Sequence, residues 1–305
     1  MKKSANNSIS TVSGVDTPQE EWKKTFWDMI ENVQTTKGFT GNLELKRGER
    51  AKLDNANLPS ITIITVTKDR KKYMPIAINN FLGFMYDRRK LEWIILDDSV
   101  DKENHLHDVL DPLMKQGHNI KYVLLKEVIS VGRKRNLGCK LASNEFIAMM
   151  DDDDVYFSDS LLAKMTALVT YDKDILFSRP LAIYDVVNCD SYIIEDFEDV
   201  AEASLCFRKS YWENKAKFDD GRKSQEGVNM IAGNENRAIQ LPFFFNFICI
   251  NHKTNLTGRL RQLRYLTGRR SLQKINKMRS IKAQRNFFKD FSKPLQVIMK
   301  NIFNM

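Results

Sequence analysis

Between residues 60 and 179 short apolar runs alternate with helical patterns, and this alternation constrains the fold more than any other feature of the chain. SITIITVT (60–67) is a β-branched run too short for a helix, so it reads as a buried strand. PIAINNFLGF (75–84) has helical spacing, with Pro75 suited to a first turn. LEWIILDD (91–98), IKYVLL (120–125), EFIAMM (145–150) and DILFSR (174–179) read as further strands. KENHLHDVLDPLM (102–114), GRKRNLGCKLA (132–142) and SDSLLAKMTALVTY (158–171) read as helices, the first ending at or just past Pro112. Five strands alternating with helices predict the α/β class, with a mostly parallel, doubly wound sheet. In such sheets ligands bind beyond the carboxyl ends of the strands. Three of those ends carry polar chemistry: Thr65–Arg70, Asp97–Asp98 and Asp151–Asp154.

The later segments are less regular. ASLCFRKSYWE (203–213) reads as a strand running into a helix, and SQEGVNMIAG (224–233) as a short helix from Ser224 to Gly233. AIQLP and FFFNFICINH read as two more strands, the last ending at His252. The expected organisation is a leader over 1–57, a catalytic domain over 58–256 and a tail over 257–305. The leader carries Trp22, Phe26, Met29, Ile30 and Val33 at helical spacing. Within the domain, 58–180 is the expected donor half and 181–256 the acceptor half.

Charge narrows the partners. The net charge is +9, yet residues 257–305 hold 13 Lys and Arg against one acid, Asp290. The first 256 residues are therefore slightly acidic, which argues against a body that grips nucleic acid. The longest apolar run, Phe243 to Ile250, is interrupted by Asn246, far short of the roughly 20 residues of a bilayer span. MKKSANNSIS lacks the apolar core of a signal peptide, and Cys139, Cys189, Cys206 and Cys249 show no metal spacing. A cytoplasmic protein is expected. The basic tail also repeats apolar residues (Leu260, Leu263, Leu266, later Phe287, Phe291, Leu295), a pattern that predicts a helix on a membrane surface.

Asp151-Asp152-Asp153-Asp154 directly follows the strand EFIAMM. Four carboxylates at a sheet mouth repel one another unless a cation sits among them, and oxygen-rich sites suit Mg²⁺ or Mn²⁺. Such an ion can bridge a diphosphate and neutralise a leaving group.

Taken in order, SITIITVTKDR, WIILDDS and SVGRKRNLGCKLASNEFIAMMDDDDVY resemble a family 2, GT-A fold glycosyltransferase. The resemblance covers about 58–180 well and 200–256 more loosely. It implies an inverting transfer from a nucleoside diphosphate sugar, UDP-linked by preference, to a hydroxyl on a glycan, glycolipid or glycoprotein. By the same resemblance Thr65 lies near the nucleotide and Asp98 accepts from the base or ribose. Arg135, of the R-N-x-G motif, binds the diphosphate, and Asn136 and Gly138 shape the turn and helix packing. Asp151 and Asp153 form the D-x-D metal pair, Asp153 the better ligand, with Asp151 or Asp152 facing the ribose or metal; the register within the four acids stays open. Glu226 matches the general base, although the family's Glu-Asp reads Glu226-Gly227 here, and Asp219 and Asp220 compete with it. By the resemblance His252 is the late histidine that completes the metal shell or touches the diphosphate. The echo of a polysaccharide-synthase motif in Arg261-Gln262-Leu263-Arg264-Tyr265 is read as coincidence. Two rivals remain. A sugar-1-phosphate nucleotidyltransferase would need a glycine-rich loop after the first strand, which TVTKDRKKYM lacks. A non-catalytic scaffold binding membrane or nucleic acid would not need the intact acids.

Overall fold

The structure is a computed structural model, and it describes residues 58–178, 181–194, 200–222, 225–241, 243, 246–255, 281–283 and 287–305. The leader with Trp22 and Phe26, Ser224, and the basic segment 256–280 lie outside the described residues.

The β-branched runs form the centre. β1 (Ile61–Thr67) pairs in parallel with β2 (Leu91–Asp97) on one side and β4 (Phe146–Met149) on the other. β2 is buried at every position, and β3 (Ile120–Leu124) continues the parallel ladder beside it. Such burial on both faces explains why β2 is an apolar run rather than an alternating one. Beyond β4 the short β9 (Cys206–Arg208) runs antiparallel to both β4 and β6 (Ile175–Ser178), and β10 (Ala238–Leu241) closes the edge parallel to β6. The order is β10-β6-β9-β4-β1-β2-β3.

Helices cover both faces. α1 (Met74–Gly83), α2 (His107–Lys115) and α4 (Ser160–Thr170) share one core with Phe81, Trp93 and Ile95. α3 (Val131–Leu141) and α5 (Lys209–Asn214) share the other with Ile64, Leu96 and Trp212. α3 begins where Ser130 Oγ accepts from the Arg133 N–H at 3.1 Å.

The chain leaves β1 toward β2 and β3, then crosses to β4 on the opposite side of β1. That reversal is a switch point, where a crevice opens beyond the strand ends. Register places Thr67 opposite Asp97, and the Met150 N–H bonds to Ile64 O, so β1, β2 and β4 end on one rim.

A second sheet, β12-β8-β7-β11-β5, was not foreseen in the sequence apart from its strand ending near His252. β5 (Val155–Tyr156) pairs antiparallel with β11 (Phe247–Asn251), and β11 is parallel to β7 (Leu181–Asp185). β7 forms a hairpin with β8 (Asp190–Ile194), which β12 (Ile281–Ala283) extends. The helix expected over 224–233 is a single 3₁₀ turn, Val228–Met230, because Gln225 (φ 59°) and Gly233 (φ 78°) break the helical path on either side.

The membrane-surface helix expected of the tail lies largely outside the described residues; in the described part, 287–305, apolar side chains pack on the protein. Phe287 and Phe291 are buried, Phe288 stacks on Tyr184 at 5.7 Å, and α6 (Lys293–Phe303) buries Leu295 and Met299. The apolar face is spent on the protein itself; Val297 is the large apolar side chain left exposed among the described tail residues. Among the described residues no helix is long and apolar enough to cross a membrane.

Candidate active site

The site assembles from the strand ends upward. Asp97, at the end of β2, accepts from the Ser99 N–H (2.8 Å), the Ser99 hydroxyl (2.5 Å) and the Tyr122 hydroxyl (2.7 Å). It therefore shapes the turn. Asp98 is 2% exposed and accepts from Lys134 Nζ at 2.6 Å and the Ile129 N–H at 3.0 Å. Lys134 Nζ also donates to Thr67 O at 2.9 Å, tying α3 to the ends of β1 and β2. Burial lowers the Lys134 pKa, and Asp98 opposes that shift. Asp98 and Ser99 form one wall of a 210 Å³ cavity beyond β2 and β3, with Val100, His105, Leu124 and Val128 around it.

Thr65 is fully buried one pleat below the rim, its hydroxyl accepting from Trp93 Nε1 at 2.9 Å. Thr67 takes the rim position instead, donating to Asp152 Oδ2 at 2.6 Å. Thr65 is thus the predicted site residue that the fold does not bring to the cluster; two residues along a strand separate a core hydroxyl from a rim one.

The four acids after β4 have four different surroundings. Asp151 accepts from Arg135 Nη2 at 3.0 Å. Asp152 lies between Thr67 and Arg70 Nε (3.0 Å), and burial, against the pull of Arg70, pushes its carboxyl up to about 7. Asp153 Oδ2 collects Arg70 Nη2, His252 Nε2 (2.8 Å) and Asn255 Nδ2 (3.2 Å). Asp154 is fully buried and accepts from the Ile250 N–H of β11 at 2.9 Å, which pins the acidic turn to the second sheet. The same strand leads into His252, so one pairing sets both Asp153 and its imidazole.

His252 stacks on Tyr73 (ring centroids 4.7 Å) and lies 5.4 Å from Phe303 of α6. The hydroxyls of Tyr73 and Thr254 sit 3.3 and 3.1 Å from Nδ1. The Thr254 N–H also donates to Nδ1 at 3.3 Å, so Nδ1 accepts and Nε2 faces Asp153 as the donor.

Arg135 joins the acidic turn to the far wall. Its Nε donates to Glu226 Oε1 at 2.9 Å, and Asp151 and Glu226 raise its pKa against strong burial. Its Nη1 is buried with no partner among the described residues. Glu226 itself is 4% exposed. Asn136 donates to Phe218 O and Asp220 Oδ1, each at 2.8 Å, and the Asp219 N–H donates to Glu226 O at 2.8 Å. The two competing acids are thus used in the loop, Asp220 by Asn136 and Asp219 by the Gly221 N–H and Arg222. Behind Glu226 stands Glu202, whose carboxyl burial and the neighbouring Glu226 push up to about 7, against Arg135.

Arg70, Lys134 and Glu202 were missed as site residues. Lys134 sits in the basic run 133–135, which reads as a solvated face. Only its helix phase, with Arg135 and Gly138 also turned inward, marks it as buried.

Among the described residues no three His, Cys, Asp or Glu side chains form a ready-made metal cage. Asp153 and His252 converge; Asp151 is drawn to Arg135 instead. Two protein ligands suit Mg²⁺ or Mn²⁺, which keep waters and take the rest of their shell from phosphate oxygens.

Parallel strands ending in acids at a switch point, with one antiparallel strand set among them, are the arrangement of a GT-A fold. The chain belongs to glycosyl transferase family 2, whose profile matches residues 62–240. Among solved structures it is similar to S. aureus TarS in complex with UDP-GlcNAc (16% identity, 64% of this chain and 60% of that one, TM-score 0.52). It is also similar to the mannosyltransferase PcManGT from Pyrobaculum calidifontis in complex with GDP-Man and Mn²⁺ (15% identity, 92% and 76%, TM-score 0.54). The chain thus spans less than two thirds of that TarS structure. No curated protein sequence matches it. Family membership sets aside the nucleotidyltransferase.

Proposed function

We propose that this glycosyltransferase moves a sugar from a nucleoside diphosphate donor, by preference UDP-linked, to an acceptor hydroxyl on a glycan, glycolipid or glycoprotein, with inversion. One observation carries the reading: Asp98, Asp152 and Asp153 are linked through Lys134, Thr67 and Arg70, Asp151 and Glu226 are linked through Arg135, and the two sets meet at the Asp151–Asp152 peptide at the switch point. The cavity walled by Asp98 and Ser99 suits the nucleobase, and the acidic turn the ribose and diphosphate. TarS and PcManGT were each solved with a nucleotide sugar, which supports a donor of that class.

Asp153 and His252 would hold Mn²⁺ or Mg²⁺, with Asp151 the further ligand the sequence offers. A bound divalent ion supplies charge neutralisation for the departing diphosphate. Arg135 Nη1, buried without a partner, costs about 1–3 kcal/mol unless an oxygen meets it, and a phosphate oxygen is the fitting one. A carboxylate on the Glu202–Glu226 wall takes the acceptor proton as the hydroxyl oxygen attacks the anomeric carbon.

The test is a thermal-shift panel of UDP- and GDP-sugars with and without Mn²⁺. A donor that binds the folded state raises its melting temperature. UDP-sugars are expected to shift it most, with EDTA reducing the shift. A panel in which no nucleotide sugar shifts it rejects the reading.

A further inference from the structure

The Glu-Asp pair expected of this family is Glu226-Gly227 here, and the surroundings of Gly227 show where a second acid stands. A Cβ built on Gly227 would lie 2.8 Å from Glu202 Cγ and 3.4 Å from its Oε1. The Gly227 N–H donates to Glu202 Oε1 at 3.1 Å. A carboxyl group from a different loop therefore occupies the space that a side chain at 227 would need.

The two glutamates are held differently. Glu226 Oε1 is paired with Arg135, and its side chain is 5% exposed. That carboxylate is already committed to the guanidinium. Glu202 is half-buried on the 3₁₀ turn Glu202–Ser204, and its Oε2 has no protein partner among the described residues. That turn is tied to the acidic loop: the Tyr156 hydroxyl donates to Ala203 O at 2.9 Å and accepts from the Asp151 N–H at 3.0 Å.

We propose that Glu202 is the general base of the transfer and that Glu226 serves as the anchor of Arg135. The inference rests on the glycosyl-transfer reading above. Glu202 Oε2 takes the proton of the acceptor hydroxyl, and the acceptor oxygen bonds to the anomeric carbon. The bond from that carbon to the diphosphate breaks, its electron pair leaving on the diphosphate oxygen beside Arg135. Glu202 then returns its proton to water. The groups facing Glu202 are Glu226, which raises its pKa, and Arg135, which opposes this. A base poised near neutrality suits this task.

The experiment uses the full chain with water as acceptor. UDP-glucose, UDP-GlcNAc and GDP-mannose are supplied with Mn²⁺, and released nucleoside diphosphate is measured from pH 5.5 to 8.5. Glu202→Gln keeps the shape and the Gly227 contact, so it is expected to fold and to retain the donor-induced thermal shift. Its kcat should fall about 100-fold or more, and the rise of activity with pH through about 7 should vanish. Glu226→Gln should instead raise KM by loosening Arg135. In the double variant Glu202→Ala with Gly227→Asp, the acid returns from the neighbouring position, and part of the activity should return with it. Turnover by Glu202→Gln within a few-fold of the unmodified chain overturns the proposal. An unmodified chain that binds a donor yet releases no nucleotide also overturns it, since a competent base accepts a proton from water. A chain that no donor shifts is the separate failure of the donor reading.

Discussion

At the scale of single residues, burial decides what each charged group contributes. Lys164 of α4 is fully buried, its Nζ without a hydrogen-bond partner among the described residues and 5.4 Å from the Tyr156 ring. Burial pushes its pKa down from 10.5 to about 8. The unfolded chain therefore binds more protons between pH 8 and 10.5, and stability rises with pH across that window. Below pH 8 the full cost of a buried ammonium remains. Lys164→Met is expected to stabilise the fold at pH 7 by about 3 kcal/mol on the shift quoted, with the gain shrinking above pH 8. Urea unfolding at pH 7 and pH 10 measures both; a less stable Met variant at pH 7 contradicts this account. Lys134 is the opposite case. Lys134→Met strips the counter-charge from Asp98, which is itself 2% exposed. A loss of about 3–5 kcal/mol is expected, and a neutral result would show that Asp98 does not depend on it.

Among elements, α3 sets the site because of how closely it approaches its neighbours. A Cβ at Gly138 would fall 2.8 Å from Ile64 Cγ2 and 2.9 Å from Leu96 Cδ1, so the helix lies directly on β1 and β2. A Cβ at Gly132 would meet the Asp219 carbonyl oxygen at 2.1 Å, a backbone atom that cannot turn aside. Gly138→Ala presses on side chains and should cost about 1–3 kcal/mol. Gly132→Ala must displace the loop whose Asp219 N–H holds Glu226, so it should lower turnover as well as stability. Comparing melting temperature with donor turnover for the two variants distinguishes them; equal loss of turnover per unit of stability refutes the difference. The strands of the first half were legible because β-branched runs of four to eight residues have few alternatives. The β7–β8 hairpin was not. LAIYD and DSYII are short, and the sheet they join also needs β11, which arrives from some 60 residues later.

Across the whole molecule, the end of the chain completes the domain. Phe287 donates its N–H to Ser191 Oγ at 2.7 Å, Tyr184 packs on Phe288 and Phe291, and Phe303 reaches Tyr73 at 5.7 Å. A chain ending before Lys293 loses buried Leu295 and Met299 and uncovers the Tyr73–His252 stack. Its melting temperature should fall by several degrees, since each lost core side chain is worth about 2 kcal/mol or more. An unchanged melting temperature would show that the contacts of α6 carry no stability. Mn²⁺ affinity, followed by its electron paramagnetic resonance signal, should weaken in the same variant.

The amino-acid order alone determined the α/β class, the sequence of strand, helix and acid, and the candidates at 98, 135, 151–153, 226 and 252. Period and composition are local properties that a single chain displays openly. Tertiary structure decided which neighbour does what. Asp151, Asp152, Asp153 and Asp154 are chemically identical, and only packing against Arg135, Thr67, His252 and β11 gives each a different partner. Likewise nothing local marks Glu202, which faces Gly227 because two distant loops meet there. A carboxylate's chemistry follows from burial and from the charges around it, and both are properties of the folded space rather than of the chain.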